Sequence, residues 1–159
     1  MINFRKATCE DSPAVSRLLR SKYSFTTSDE AAATYNSECL AQHYRLAERE
    51  GKIIGLVSWR PQGIAKHGVA ELTRIAVDSD EPDIKTVKEM LFDVTVAEAD
   101  YYYKQHDSKL RKVFSMIHAD NVQIRNFFVD KGMRQEAVLK DHFYSGKDEL
   151  VFSLFFPTV

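Results

Sequence analysis

Hydrophobic and polar positions along this chain alternate between two periods, one suited to strands and one to helices. Residues 2–6 alternate well enough for a short opening strand. Asp11-Ser12-Pro13 then starts a helix, because proline tolerates the first helical position. Val15, Leu18 and Leu19 form its buried face, and it ends near Lys22. Thr27-Ser28-Asp29-Glu30 has the form of a capping box, with Thr27 and Glu30 satisfying each other's backbone donors. A second helix follows to about Gln42. Its run from Ala31 is only weakly amphipathic, which suits a peripheral helix over a groove. Residues 44–50 and 53–59 are strand-like and flank Gly51-Lys52, a short hairpin signal.

A polar loop with two glycines, residues 61–68, leads to a third strong strand at 69–77. The acidic stretch 78–83 contains Pro82 and breaks structure. A long helix follows from Ile84 to about Gln105, with Val87, Leu91, Val94 and Glu98 or Ala99 along its inward stripe. Residues 113–118 form the next strand. Asp120 or Asn121 then caps a helix whose Ile124, Phe127 and Phe128 share a face, and Gly132 stops it. Two last strands, 137–144 and 149–156, flank the turn 145–148. The final strand is apolar on both sides, so it is expected to be buried on both faces or covered by a partner. The order is strand, two helices, three antiparallel-prone strands, helix, strand, helix and hairpin. That is a mixed α/β layer protein.

Composition narrows the function classes. The chain has 159 residues, enough for one ordinary domain with a real core. Its formal charge of −1 argues against a dedicated nucleic-acid binder. No apolar run reaches the roughly 20 residues of a spanning helix, so no membrane partner is expected. The start, Met-Ile-Asn-Phe-Arg-Lys, reads as a strand rather than a signal peptide, which points to the cytoplasm. Cys9 and Cys39 are too few and too separated in sequence to suggest a disulfide framework or a zinc site. Two free thiols and no metal are the expectation.

The segment from Asp120 to Met133 carries the most information. Asn121, the aromatic pair Phe127-Phe128 and Gly132-Met133 follow directly on an apolar strand. This order resembles the cofactor-flanking segment of the GNAT N-acetyltransferase superfamily, whose usual form is Asn, a helix with an aromatic pair, then Gly-Phe. The element order matches that fold from about Ile2 to Phe156. The resemblance implies an α/β (α+β) protein with a GNAT-like mixed sheet of about six to seven strands and about four helices. It also implies one acetyltransferase domain over 1–159. Such a domain moves an acetyl group from acetyl-CoA, its co-substrate, to a small-molecule or peptide amine by direct attack. The alternative is an inactive GNAT-like binding or regulatory module.

Family analogy places the cofactor where two parallel strands splay, here 69–77 and 113–118. Main-chain groups of Ile75, Ala76 and Val77 would pair with the pantetheine arm. The family's pyrophosphate loop carries Arg or Gln, two spacers, Gly, one spacer, then Gly or Ala. Glycines there let backbone N–H groups reach the phosphates at a helix N-terminus. Aligned on Val77, this chain has Pro82, Lys85 and Val87 instead. From Asp78 to Lys88 four acids face two lysines. Those acids either cap the long helix or flank a rebuilt phosphate site at Lys85, Thr86, Val87 and Lys88.

The same analogy makes Glu71 the base that deprotonates the incoming amine; the other reading is a strand-edge surface glutamate. Phe127-Phe128 lacks the tyrosine that often serves as general acid in the family, which leaves Tyr144 as a substitute or as a packing residue with its hydroxyl at the surface. Asn121 contacts the pantetheine in many members, or serves only as an N-cap, and Phe128 flanks the cofactor. His118 and Asp120 could form a dyad, or His118 is simply hydrogen-bonded. Three consecutive tyrosines, Tyr101 to Tyr103, cannot share one helix face. With the apolar last strand they leave room for a homodimer.

Overall fold

Among the described residues, the buried positions assemble into a seven-stranded mixed sheet with four α-helices. The computed structural model describes residues 1–157. Its elements are β1 (Asn3–Lys6), α1 (Ser12–Lys22), α2 (Ser28–Glu38), β2 (His43–Arg49), β3 (Lys52–Gln62), β4 (Val69–Val77), α3 (Ile84–Gln105), β5 (Lys112–His118), α4 (Val122–Asp130), β6 (Arg134–Tyr144) and β7 (Lys147–Phe155). The strand order is β1-β2-β3-β4-β5-β7-β6. β4 and β5 are parallel, while β1–β2, β2–β3, β5–β7 and β6–β7 are antiparallel. This is the expected α+β class and helix count. Two compact units divide the chain: Met1–Arg60 with Arg74–Val96, and Pro61–Thr73 with Ala97–Val159.

In the first unit, Val15, Leu18 and Leu19 of α1 pack with Ala31 and Tyr35 of α2 and with Leu46, Leu56 and Ala76 of the sheet. Each large aliphatic side chain buried this way contributes about 1.5–3 kcal/mol. The second helix is therefore not peripheral. Ala31 and Tyr35 are fully buried one turn apart, and the Tyr35 hydroxyl donates to the Thr8 carbonyl at 2.6 Å. That bond lets an amphipathic ring enter the core with its polar tip satisfied. The helix also stops at Glu38, short of Gln42, because the Glu38 carbonyl takes the N–H groups of both Ala41 and Gln42, at 2.9 and 2.8 Å. At its start, Thr27 Oγ1 accepts the Glu30 N–H at 3.1 Å. The Glu30 carboxylate accepts from Thr26, one residue before the expected Thr27. The β2–β3 turn likewise sits one residue early, at Glu50-Gly51, with φ of 52° and 77°.

In the second unit, Gly68 aligns the starts of β4 and β5. Its carbonyl accepts the N–H groups of Arg111 and Lys112 at 2.8 and 3.1 Å. Its φ is +62°, and an added Cβ would lie 2.1 Å from the Lys109 carbonyl oxygen. Only glycine permits that approach. β7 runs between β5 and β6, and its Phe152 packs against Phe128 of α4 at 6.2 Å between ring centroids. Double-sided burial extends to Glu149, Leu150, Phe152 and Ser153, whereas Val151 and Leu154 are half-buried. Phe155 is exposed beneath the cations of Lys112 and Arg134, at 5.4 and 5.7 Å.

The inward stripe of α3 is Val87, Leu91, Thr95, Ala99 and Tyr103, joined by Phe92; Val94 and Glu98 are only half-buried. Thr95 fits because its hydroxyl donates back to the Leu91 carbonyl at 3.0 Å. The three tyrosines fan out: Tyr101 is exposed, Tyr102 half-buried and Tyr103 buried, with its hydroxyl donating to the Val69 carbonyl.

Candidate functional site

The second unit holds the start of β4 and its parallel partner. Val69, Ala70 and Glu71 pair with Lys112, Val113 and Phe114, and the register ends there although β4 runs to Val77 and β5 to His118. Beyond the last pair, the Ser115 hydroxyl donates to the Leu72 carbonyl at 2.7 Å. Glu71, at the final paired position, is only 5% exposed, and the Gln62 amide donates to its carboxylate. It is not a surface glutamate. A carboxylate held in one orientation by an amide donor, at a point where backbone pairing stops, is suited to taking a proton from an incoming amine.

Paired residues share a sheet face, so Phe114, Met116 and His118 of β5 lie on the same side as Ser153, Val151 and Glu149 of β7. His118 Nδ1 lies 2.7 Å from Glu149 Oε1, whose side chain is 4% exposed. The partner of His118 is thus Glu149, not Asp120, which pairs with Lys147 at 2.9 Å. Tyr144 is exposed, with its ring 5.6 Å from that of His118. His118 lies four positions along β5 from the Glu71 partner Phe114, about 13 Å at strand rise. Glu71 and Tyr144 are therefore not brought together.

In the first unit, the remainder of β4 meets a cluster that the sequence pattern did not reveal. The Ile75 N–H donates to the Tyr23 hydroxyl at 3.0 Å, and that hydroxyl donates back to the Ile75 carbonyl at 3.2 Å. The Arg74 guanidinium lies over the Tyr23 and Phe25 rings, at 5.0 and 5.4 Å. It donates twice to the Glu38 carboxylate, at 2.8 and 3.1 Å, and the Tyr44 hydroxyl donates to the same group. Burial by itself would raise the Glu38 pKa, but the Arg74 and Tyr44 donors outweigh it and hold the carboxyl below its ordinary range. Burial pushes the Tyr23 phenol up. No periodicity marks Tyr23, Phe25 or Arg74; the aromatic-polar-aromatic run after α1 is the only local hint. Ile75, Ala76 and Val77 are themselves buried.

The turn after β4 resolves the charge conflict seen in the sequence. Asp78 pairs with Lys52 at 3.1 Å, and Glu81 with Arg49 at 3.0 Å. Asp83 accepts the Thr86 N–H through its side chain at 3.4 Å and the Val87 N–H through its carbonyl at 3.1 Å. Three of the four acids are thus turned to cations or to the helix start. Val87 is fully buried in the core, so its side chain faces no ligand. Lys85 is exposed, 3.9 Å from Glu89. Lys88 is half-buried, and burial together with nearby Lys22 lowers its amine pKa. Lys22 in turn donates to Ser79 at 2.7 Å. Lys22 is a cation that the motif alignment did not include.

Asn121 caps α4, its Oδ1 accepting the Ile124 N–H at 3.2 Å. Phe128 is fully buried, with its ring near those of Phe127 and Phe152. Among the described residues, no group of three His, Cys, Asp or Glu side chains is arranged to hold a metal, and no helix is long and apolar enough to cross a membrane. An open groove of about 720 Å³ runs between α1 and α2, lined by Arg17, Arg20 and Asp29 among others. It contains no β4 residue and is separate from the chemistry above.

No family model matches the chain, and no curated protein sequence matches it. Solved structures do. A protein from Desulfovibrio desulfuricans assigned to the GNAT acetyltransferase family superposes with a TM-score of 0.77 at 22% identity, covering 98% of this chain and 99% of its own. The ribosomal-protein-alanine N-acetyltransferase of Brucella melitensis gives 0.72 at 19%, covering 97% and 99%. Ard1 of Thermoplasma volcanium gives 0.79 at 14%, covering 99% of each chain. At these identities the likeness establishes the fold, and the chain has the fold of the GNAT acetyltransferases.

Proposed function

We propose that this chain is an N-acetyltransferase, one domain over 1–159, that moves the acetyl group of acetyl-CoA onto an amine by direct attack. The acceptor is a small molecule or a peptide, and the setting is the cytoplasm. The observation that carries the reading is the buried Glu71 carboxylate, oriented by Gln62, at the last pair of the parallel β4–β5 ladder. Glu71 takes a proton from the acceptor ammonium, directly or through water. The neutral amine then attacks the thioester carbonyl carbon. The C–S bond breaks, the nitrogen sheds its second proton to solvent, and the leaving thiolate takes one from solvent, since Phe127-Phe128 offers no hydroxyl. Tyr144 has no role in this reading, because it lies by His118.

The co-substrate fits the main chain better than the loop. Backbone groups of Ile75, Ala76 and Val77 would pair with the pantetheine arm, which needs no particular side chain. Ile75 is available only after Tyr23 lets go. The amines of Lys22, Lys85 and Lys88 would meet phosphate in place of the missing glycines. Val87 offers at most backbone groups and Thr86 adds an exposed hydroxyl, while the Thr86 and Val87 N–H groups already bond Asp83.

The rival reading is a binding module on the same fold. The Tyr23 bonds to Ile75 and the Asp83 cap favour it. Calorimetry or thermal shift with coenzyme A and acetyl-CoA separates the two. Saturation at about 100 times the dissociation constant stabilises the fold by about 2.7 kcal/mol. No shift at millimolar ligand selects the binding module. If binding is seen, a thiol-release assay over an amine panel should find Glu71→Gln slower by about 10²–10⁴-fold in kcat with KM little changed. Equal turnover by the two proteins removes Glu71 as the base.

A further inference from the structure

Cys9 and Cys39 stand 30 positions apart in sequence, yet their Sγ atoms are 3.5 Å apart, in contact. The contact does not depend on the thiols themselves. Cys9 opens the 3₁₀ turn Cys9–Asp11, whose preceding Thr8 donates its N–H and hydroxyl to the Asp11 carboxylate at 2.7 and 3.2 Å. Asp11 is gripped in turn by Arg5, at 2.6 and 2.9 Å. Cys39 is the C-cap residue of α2, its N–H bonded to the Tyr35 carbonyl at 2.8 Å. The buried Tyr35 ties the two segments together through its bond to the Thr8 carbonyl. Two backbones anchored by other groups thus present two sulfurs to each other.

We propose that this pair is an oxidisable dithiol, converted by small-molecule disulfides into an intramolecular Cys9–Cys39 disulfide. Cys9 is exposed and Cys39 half-buried, so the reagent meets Cys9 first. The Cys9 thiolate attacks one sulfur of the small disulfide and expels a thiol, leaving a mixed disulfide on Cys9. The Cys39 thiol then loses its proton and attacks the Cys9 sulfur, expelling the second thiol. Two protein thiols are oxidised and one small disulfide is reduced to two thiols. An S–S bond of about 2.05 Å requires the sulfurs to close by about 1.5 Å. Burial raises the Cys39 pKa, so the second step quickens as pH rises. The product fastens the end of α2 at the residue after Glu38, whose carboxylate holds Arg74. This inference is independent of acyl transfer.

The test uses reduced full-length protein freed of reductant, then incubated with glutathione disulfide and mapped by non-reducing peptide mass spectrometry. A Cys9–Cys39 linked peptide is expected, with the chain lighter by two hydrogens, monomeric, and restored by dithiothreitol. Cys39→Ser should instead accumulate glutathione on Cys9. A second measurement needs no variant: phenylarsine oxide, whose arsenic bridges two adjacent thiols, should bind the reduced wild-type chain one to one and block both cysteines. Wild type that accumulates glutathione on Cys9 without the linked peptide, crosslinks only between chains, or fails to retain the arsenical overturns the proposal.

Discussion

The Tyr23 hydroxyl engages both backbone groups of Ile75, accepting its N–H at 3.0 Å and donating to its carbonyl at 3.2 Å. A residue at the end of α1 therefore occupies main chain of β4 that the acetyltransferase reading assigns to the pantetheine arm.

Tyr23→Phe removes this occupant while keeping the ring under Arg74. The fold should lose about 1–2 kcal/mol, the net worth of the lost hydrogen bonds. Coenzyme A, measured by calorimetry, should bind the variant more tightly than wild type. Equal affinity would mean that Tyr23 does not compete for Ile75.

Glu38→Ala strands the Arg74 guanidinium against two aromatic rings and leaves the Tyr44 hydroxyl without its acceptor. The expected cost is about 2–3 kcal/mol in urea unfolding. Replacing both partners, Glu38→Leu with Arg74→Met, should recover most of that loss, since it leaves no uncompensated charge. A double variant as unstable as the single one would contradict this account.

The Arg5 donors, with the Thr8 N–H, hold the Asp11 carboxyl at about 2, against an ordinary value of 3.8. A lowered folded-state pKa stabilises above the unfolded value and is lost as pH falls through the folded one. Asp11→Asn should be weaker than wild type by about 1 kcal/mol at neutral pH, a figure discounted for the partly exposed Arg5. The gap should close between pH about 4 and about 2. Paired urea titrations at several pH values check it; a constant gap would assign the cost to packing.

Gly68→Ala combines a left-handed backbone with a Cβ 2.1 Å from the Lys109 carbonyl. The fold should lose about 2 kcal/mol or more. The damage should centre on the Val69–Glu71 pairing with β5, visible as faster amide exchange at Arg111 and Lys112, whose N–H groups bond Gly68.

What was legible in the sequence was local. Asn121 caps α4 and Gly132 ends it with φ of +82°, because capping and the left-handed stop need only neighbouring residues. The bounds of β4 and α3 matched the pattern as well, the acidic residues and Pro82 that interrupt it lying between the end of one and the start of the other. Pattern misled where chemistry replaced hydrophobicity. Tyr35 and Thr95 are core residues because a hydrogen bond removes the cost of their oxygens. Val87 and Phe128 fall at positions of the family's cofactor motifs, and both side chains are fully buried.

By itself, the order of apolar and polar residues determined the mixed α/β class and the number of helices, because each follows from short-range periodicity and turn chemistry; the parallel strand pair was implied only by the family resemblance. Tertiary structure alone decided which partners meet. Glu38 with Arg74, Tyr23 with Ile75 and Cys9 with Cys39 are 36, 52 and 30 positions apart. The pairing of such groups is set by how helices seat on a sheet, a geometry that no window of neighbouring residues encodes.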